Sequence, residues 1–223
     1  MTSFRRTYID LLLNKCSHEF IGKLVLDIGG KKTNKAGSFR PESDATFVYL
    51  NIDRDSGPDY VASAESIPVD DESFDAFLLC EVLEHLEHPE AAVAEAYRIL
   101  RFTGFGIVTI PFLHEFHGDP FDFQRFTGYK LEKLFRSVGF SRVEVQPQGG
   151  IFAVCHDLFL SLTWRATNKQ RLSLFIRAIP RVLAMTRSVW WMLDNKFNWT
   201  SSHVTTGYQI RVWKEGKEVA RQN

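Results

Sequence analysis

Two groups of residues in this sequence have the types and spacing for chemistry. The first is Asp27, Gly29 and Gly30 within KLVLDIGG, where an acid stands at the end of a short apolar run and two glycines follow. Glycines there let the chain turn sharply and leave room for a ligand against the backbone. A carboxylate beside them lies where an open α/β sheet binds its ligand, outside the carboxyl ends of the strands. A second acid, Asp53, closes TFVYLNID roughly 20 residues further on, a spacing that suits hydrogen bonds from a ribose diol.

The second group lies in PFLHEFHGDPFDFQRFTGY, which offers His114, His117, Asp119, Asp122 and Arg125. His117 is the candidate general base, because an imidazole near its ordinary pKa takes a proton from an attacking hydroxyl. Asp119 is the candidate to orient it. The competing structural role is that Asp119 and Asp122 cap turns while His117 anchors the loop. Histidine and carboxylate are also suitable metal ligands, but no metal site is assigned. Phe112, Phe116, Phe121, Phe123 and Phe126 are expected to pack this loop more than to stack on a substrate. His85 and His88 flank a helix start and are expected to line the pocket and cap the helix, whereas His18, His156 and His203 carry no chemical signal.

The elements that must position these residues follow from periodicity. Leu24, Val25, Leu26 and Ile28 read as a strand buried on both faces. An N-terminal helix over residues 4 to 20 shows Phe4, Tyr8, Leu11, Leu12 and Cys16 at helical spacing. The polar stretch KKTNKAGSFRPESDA supports no periodic element. Further strands are expected at TFVYLNID, at DYVAS, at Phe74 to Leu79, at FGIVTIPF, at FSRVEVQPQ and at GYQIRVWK. One helix starts at Pro89 and carries Val93, Ala96, Tyr97 and Leu100 on one stripe. Another is capped by Thr127, ends at Gly139 and buries Leu131, Leu134, Phe135 and Val138. Strands alternating with helices predict a doubly wound, seven-stranded, mostly parallel sheet with the last strand antiparallel.

A helical insertion over about residues 151 to 200 precedes that last strand, since roughly 50 residues are too many for a bare loop. Pro180 should end one helix at Ile179 and start another. Arg165, Lys169, Arg171, Arg177, Arg181, Arg187 and Lys196 face only Asp194 in opposition. Leu172, Phe175, Ile176, Ile179, Val182, Leu183, Trp190 and Leu193 fall largely on one side. Such a segment, residues 165 to 196, suits an anionic membrane surface, a phosphorylated acceptor, or packing on the domain or in a homodimer.

With 223 residues the chain is long enough for one well-buried domain, and 27 basic against 27 acidic residues indicate no overall attraction to nucleic acid. Cys16, Cys80 and Cys155 show neither pairing nor metal spacing and read as reduced thiols of a cytoplasmic protein. No window reaches the roughly 18 apolar residues of a spanning helix.

In this order LVLDIGG, YLNID, ASAESIPVDDESFDAFLLCEVLEHLEHPE and ILRFTGFGIVTIP resemble a class I S-adenosylmethionine-dependent methyltransferase, over roughly residues 20 to 150 and the last strand. The resemblance implies S-adenosylmethionine as cofactor. Asp27, Gly29 and Gly30 would hold its amino-acid part, Asp53 its ribose, and Ser63, Ala64 and Glu65 its adenine. Cys80 and Glu81 would line the methionine side and the route to the acceptor. The chain departs from that family where Lys31, Lys32 and Thr33 replace further glycines, at Ser63 in place of an aspartate, and in ILRFTGFG in place of a proline-glycine-glycine turn. The His, Asp and RFT segment is similar to one in methyltransferases often associated with glycan or cell-surface polysaccharide synthesis, which implies a sugar hydroxyl or a glycolipid as acceptor. A catalytically inactive cofactor-binding module and a membrane-surface protein are the alternatives.

Overall fold

The computed structural model describes residues 3–33, 37–41, 44–117, 121–169, 182, 185–197 and 204–215; at 164–169, 187, 195 and 197 it describes the backbone alone. The described strands form one seven-stranded sheet in the order β3-β2-β1-β4-β5-β7-β6. They are β1 (Leu24–Ile28), β2 (Thr46–Asn51), β3 (Tyr60–Val61), β4 (Phe74–Cys80), β5 (Leu100–Pro111), β6 (Arg142–Gln148) and β7 (Gly207–Trp213). β7 runs antiparallel to both its neighbours, and the β1 to β5 pairings are parallel.

Because β1 and β4 lie centrally, Val25, Leu26, Ala76, Phe77, Leu78 and Leu79 are almost wholly buried. One face of the sheet packs on α2 (Pro89–Ile99) and α3 (Gly128–Val138) through Ala92, Val93, Ala96, Leu131 and Phe135. Pro89 stands in the first turn of α2, where a missing N–H costs nothing. The Thr127 hydroxyl accepts the Lys130 N–H at the start of α3, and Gly139, at φ 125°, ends it. The other face packs on α1 (Phe4–Lys15) and the single helical turn Ser17–Phe20. Phe20 anchors that side, with ring centroids 5.6 Å from Phe47 and 5.7 Å from Phe105.

Several boundaries differ from those the periodicity suggests. The N-terminal helix stops at Lys15, and Leu11 is exposed while Ile9 and Leu13 take its place in the core. β2 ends at Asn51, so Asp53 lies beyond the strand and caps the turn Arg54–Ser56 by accepting the Asp55 N–H. β5 begins at Leu100, so ILRFTGFG is strand with a kink, where Thr103 takes φ 65° and the register against β4 shifts.

The insertion contains α4 (Ile151–Lys169) and α5 (Arg187–Phe197). Pro180 and most of the basic side chains fall outside the described residues; of those basic residues only Lys196 has a described side chain. Asp194 is buried in a capping role. Its carboxylate accepts the N–H groups of Gly150, Phe152 and Ala153 at 3.0–3.2 Å and so caps the start of α4. Among the described residues no helix is long and apolar enough to cross a membrane.

Candidate functional site

The carboxyl end of β1 is built around two close approaches. A Cβ on Gly30 would stand 2.2 Å from the Asp27 carboxyl carbon, and one on Gly29 would stand 2.4 Å from Val82 Cγ2. Gly29 also takes φ 80°, a conformation that L side chains rarely adopt. The turn is held from β2, because the Asn51 amide donates to the carbonyls of Gly29 and Gly30 at 2.8 and 3.1 Å. Asn51 Oδ1 accepts the Asp53 N–H at 2.9 Å. Asn51 thus fixes both the glycine turn and the backbone of the second acid. Its sequence signal was a buried strand ending in an amide, two residues before that acid.

Below the turn lies a cavity of about 170 Å³ whose lining includes Arg6, Asp27, Gly30, Phe39, Tyr49 and Cys80. Burial pushes the Cys80 thiol up to about 12, with the Asp27 charge adding to the effect, so the thiol stays neutral. Lys31 Nζ stands 3.9 Å from Asp53 Oδ2, and Lys32 Nζ 2.6 Å from Asp59 Oδ1, so both lysines lean over the β2–β3 end. The Lys32 ammonium holds the Asp59 carboxyl below its usual range. After β3, the Ser63 hydroxyl accepts the Glu65 N–H at 3.2 Å, Glu65 accepts the His88 N–H at 3.2 Å, and Ala64 is buried. The His88 side chain makes no capping bond to α2, contrary to the role its position suggested.

Glu81 is committed inside the protein. At φ 55° it turns toward Arg5, whose Nε and Nη2 donate to its carboxylate at 3.0 and 2.6 Å, and Thr109 Oγ1 donates at 3.0 Å. Burial alone would raise this carboxyl, but the Arg5 fork and the Thr109 hydroxyl outweigh it and keep Glu81 below its ordinary value. Arg5, itself 2 % exposed, also donates to the Gln148 side chain and, at 3.3 Å, to the Tyr208 carbonyl. Sequence reasoning missed Arg5, since nothing near it predicts partners so far along the chain.

A second cluster faces the same end of the sheet. The segment after residue 120 folds back over the turn Leu83–His85: the Phe123 N–H donates to the Glu84 carbonyl at 2.8 Å, and Gln124 Nε2 donates to the Leu86 carbonyl at 2.8 Å. This brings His117 to His85 and His114, with ring centroids 5.2 and 5.4 Å apart. His117 Nδ1 stands 3.3 Å from the Glu115 carbonyl and 3.6 Å from Asp122 Oδ2. Asp122 accepts the His117 N–H at 3.0 Å and is gripped by both Arg125 Nη atoms, which lower it to about 2. Burial pushes the His117 imidazole below its ordinary value. Glu84 is fully buried, and burial, reinforced by the Glu81 charge, raises its carboxyl well above the usual range. Asp119 lies outside the described residues. Of the phenylalanines, Phe112 and Phe126 pack into the core as expected, but Phe116, Phe121 and Phe123 are 70, 60 and 49 % exposed, with the Phe121 and Phe123 ring centroids 5.6 Å apart.

Residues 42–108 match the family model described as a methyltransferase domain. No curated protein sequence matches the chain. Among solved structures it is similar to an S-adenosylmethionine-dependent methyltransferase from Archaeoglobus fulgidus, with 15% identity over 93% of each chain and a TM-score of 0.55. It is also similar to a possible histamine N-methyltransferase from Thermotoga maritima (18%, 95% of this chain and 91% of that one, 0.53). A third is phosphoethanolamine N-methyltransferase 2 of Haemonchus contortus, solved in complex with S-adenosylmethionine (13%, 93% and 52%, 0.52). The fold is that of S-adenosylmethionine-dependent methyltransferases. A methyltransferase-domain segment at the heart of this sheet marks the chain as an enzyme with S-adenosylmethionine as its cofactor. The site agrees with that cofactor on its own evidence, since an acid lies so close against a glycine that an added Cβ would displace it, above a cavity.

Proposed function

We propose that the chain moves a methyl group from S-adenosylmethionine to an oxygen of a saccharide or surface-glycan precursor. When bound, the cofactor supplies an electrophilic methyl group on a sulfonium. Asp27 and the Gly29–Gly30 turn accept its ammonium end, Asp53 accepts hydrogen bonds from the ribose hydroxyls, and Ser63, Ala64 and Glu65 flank the adenine. Cys80, a neutral thiol, and Glu81, turned inward on Arg5, close the methionine side. Methyl transfer is a direct displacement, so most of the acceleration comes from holding the acceptor in line. His117 is the proposed base that takes the proton of an acceptor hydroxyl, with Asp119 as its proposed orienting partner.

The observation that carries the saccharide assignment is the exposure of Phe116, next to His117, and of Phe121 and Phe123, whose backbones hold His85 and the Glu84 carbonyl. Exposed aromatic faces suit the C–H faces of a pyranose, while the polar groups of the cluster suit its hydroxyls. One domain with a helical insertion, working in the cytoplasm on a precursor, fits cysteines that are all free.

Calorimetry with S-adenosylmethionine and S-adenosylhomocysteine, followed by transfer of labelled methyl to sugar acceptors, tests this function. Removing the Asp53 carboxylate (Asp53→Ala) deletes a charged hydrogen-bond acceptor, so cofactor affinity should fall roughly 10- to 100-fold. Unchanged affinity refutes the ribose assignment. Tight cofactor binding with no transfer to any sugar refutes the acceptor class and favours an inactive binding module.

A further inference from the structure

We propose that Glu84, His85 and His117 form a binding site for one divalent transition-metal ion of the zinc class. The sequence reading assigned no metal, and the fold brings together residues that local pattern left apart. His85 Nε2 stands 3.7 Å and His117 Nε2 4.0 Å from the same atom, Glu84 Oε1. One ligand atom from each of the three lies within 4.8 Å of the others.

The ring orientations decide what these atoms offer one another. His85 Nδ1 rests on the Phe121 carbonyl, and His117 Nδ1 on the Glu115 carbonyl. A carbonyl only accepts, so each Nδ1 carries the proton and each Nε2 presents a lone pair. Both Nε2 atoms therefore lie within 4.0 Å of a carboxyl that burial drives toward its protonated form, so an ion arriving here takes the place of that proton. Glu84 is fully buried, and neither of its oxygens has a hydrogen-bond partner among the described residues. A buried carboxylate without a donor is costly, and such groups are paired or bind metals. Two imidazole nitrogens and a buried carboxyl converge here, and a cation that displaces the carboxyl proton holds all three.

The outer contacts are those of a metal site. Ligating histidines typically donate their other ring N–H to a backbone carbonyl or carboxylate, which fixes the tautomer. His85 and His117 both do so, and Asp122 adds a second acceptor 3.6 Å behind His117 Nδ1 while Arg125 balances its charge. Two imidazoles and one carboxylate are the donor set of zinc and its neighbours with a position left open, whereas calcium and magnesium take oxygen ligands. The proposal rests on the function above only for what the open position receives, and it replaces the base role given there to His117: with an ion bound, the His117 lone pair holds metal and takes no proton from the acceptor.

The experiment uses the full, untagged chain, freed of metal with a chelator and titrated calorimetrically with zinc chloride, with His85→Ala and His117→Ala in parallel. Expected are one ion per chain and affinity at least about tenfold weaker in each variant, as even the loss of an outer contact costs 10- to 100-fold. No stoichiometric uptake by the wild type, or equal uptake in both variants, overturns the site. Should either variant fail to fold, cobalt-loaded wild-type protein gives a direct reading. Strong visible bands of a four- or five-coordinate ion support the site, and the weak spectrum of a hydrated ion overturns it. S-adenosylmethionine binding is measured on the same preparation: cofactor binding without metal uptake sinks the ion site alone, and metal uptake without cofactor binding sinks the methyltransferase function alone.

Discussion

Gly30 and Asp27 concentrate the cofactor assignment into a single contact. The Cβ of alanine at position 30 would stand on the Asp27 carboxylate, which must then swing away from the glycine turn. Since the buried residues of β1 are untouched, Gly30→Ala should weaken S-adenosylmethionine binding by more than about tenfold while the melting midpoint stays close to wild type. A lowered midpoint with full cofactor affinity would show instead that the glycine serves the fold. The acid and the glycine turn at the end of β1 were legible in the sequence, because a glycine turn after a buried strand is a local pattern. Arg5 and Glu84 were not, because their meaning comes from partners far along the chain. Arg5 meets Glu81, Gln148 and Tyr208, and nothing in EVLEH says which of its glutamates is sealed from water.

Among the elements, carboxylates at helix starts tie the insertion to the site. Asp194 of α5 caps α4, and Asp157 of α4 accepts the N–H groups of Phe4 and Arg5 at 2.9 and 3.3 Å, holding the start of α1. α1 in turn delivers Arg5 to Glu81. Removing the Asp194 carboxylate (Asp194→Ala) bares three N–H donors and should cost about 1–3 kcal/mol in urea unfolding. A change below about 0.5 kcal/mol, the scale of a surface substitution, would mean that α4 is held by apolar packing alone. Strand and helix identities were legible from period and caps, Thr127 and Gly139 above all. The start of β5 was not: a threonine at positive φ kinks a strand where the sequence suggests a turn.

For the molecule as a whole, several carboxylates that pin loops and strands are held below their ordinary range. Arg98 and the Ile67 N–H lower Glu95. For Asp75 burial works upward, but the Leu24 N–H and Arg101 outweigh it, and for Asp10 the Ser38 N–H and Arg6 do the same. Such groups bind protons more weakly folded than unfolded, so the stability they add is present above the ordinary carboxylate values and is lost as pH falls through their folded values. The urea midpoint should therefore hold down to about pH 5 and fall below it. Glu95→Gln should be less stable at neutral pH and show a shallower acid decline; a decline as steep as wild type would remove Glu95 from this set. The doubly wound architecture was legible in outline from the alternation of strands and helices, as were the Arg98–Glu95 and Arg6–Asp10 pairs at helical spacing, but the ties of these carboxylates to Leu24, Ser38, Ile67 and Arg101 join residues 26 to 51 positions apart, beyond any local period.

The placement of β7 has a consequence for how the chain is made. β7 is the last strand in sequence, yet it lies between β5 and β6 and is hydrogen-bonded to both. On the ribosome, β1 to β5 can pair as they emerge, whereas β6 has no neighbour in the sheet until residues 207–213 have left the exit tunnel. Long-range pairing of this kind is slow and leaves strand edges exposed. A nascent chain stalled within the insertion therefore carries two open edges, on β5 and β6, and those edges are where a chaperone or a second nascent chain would attach.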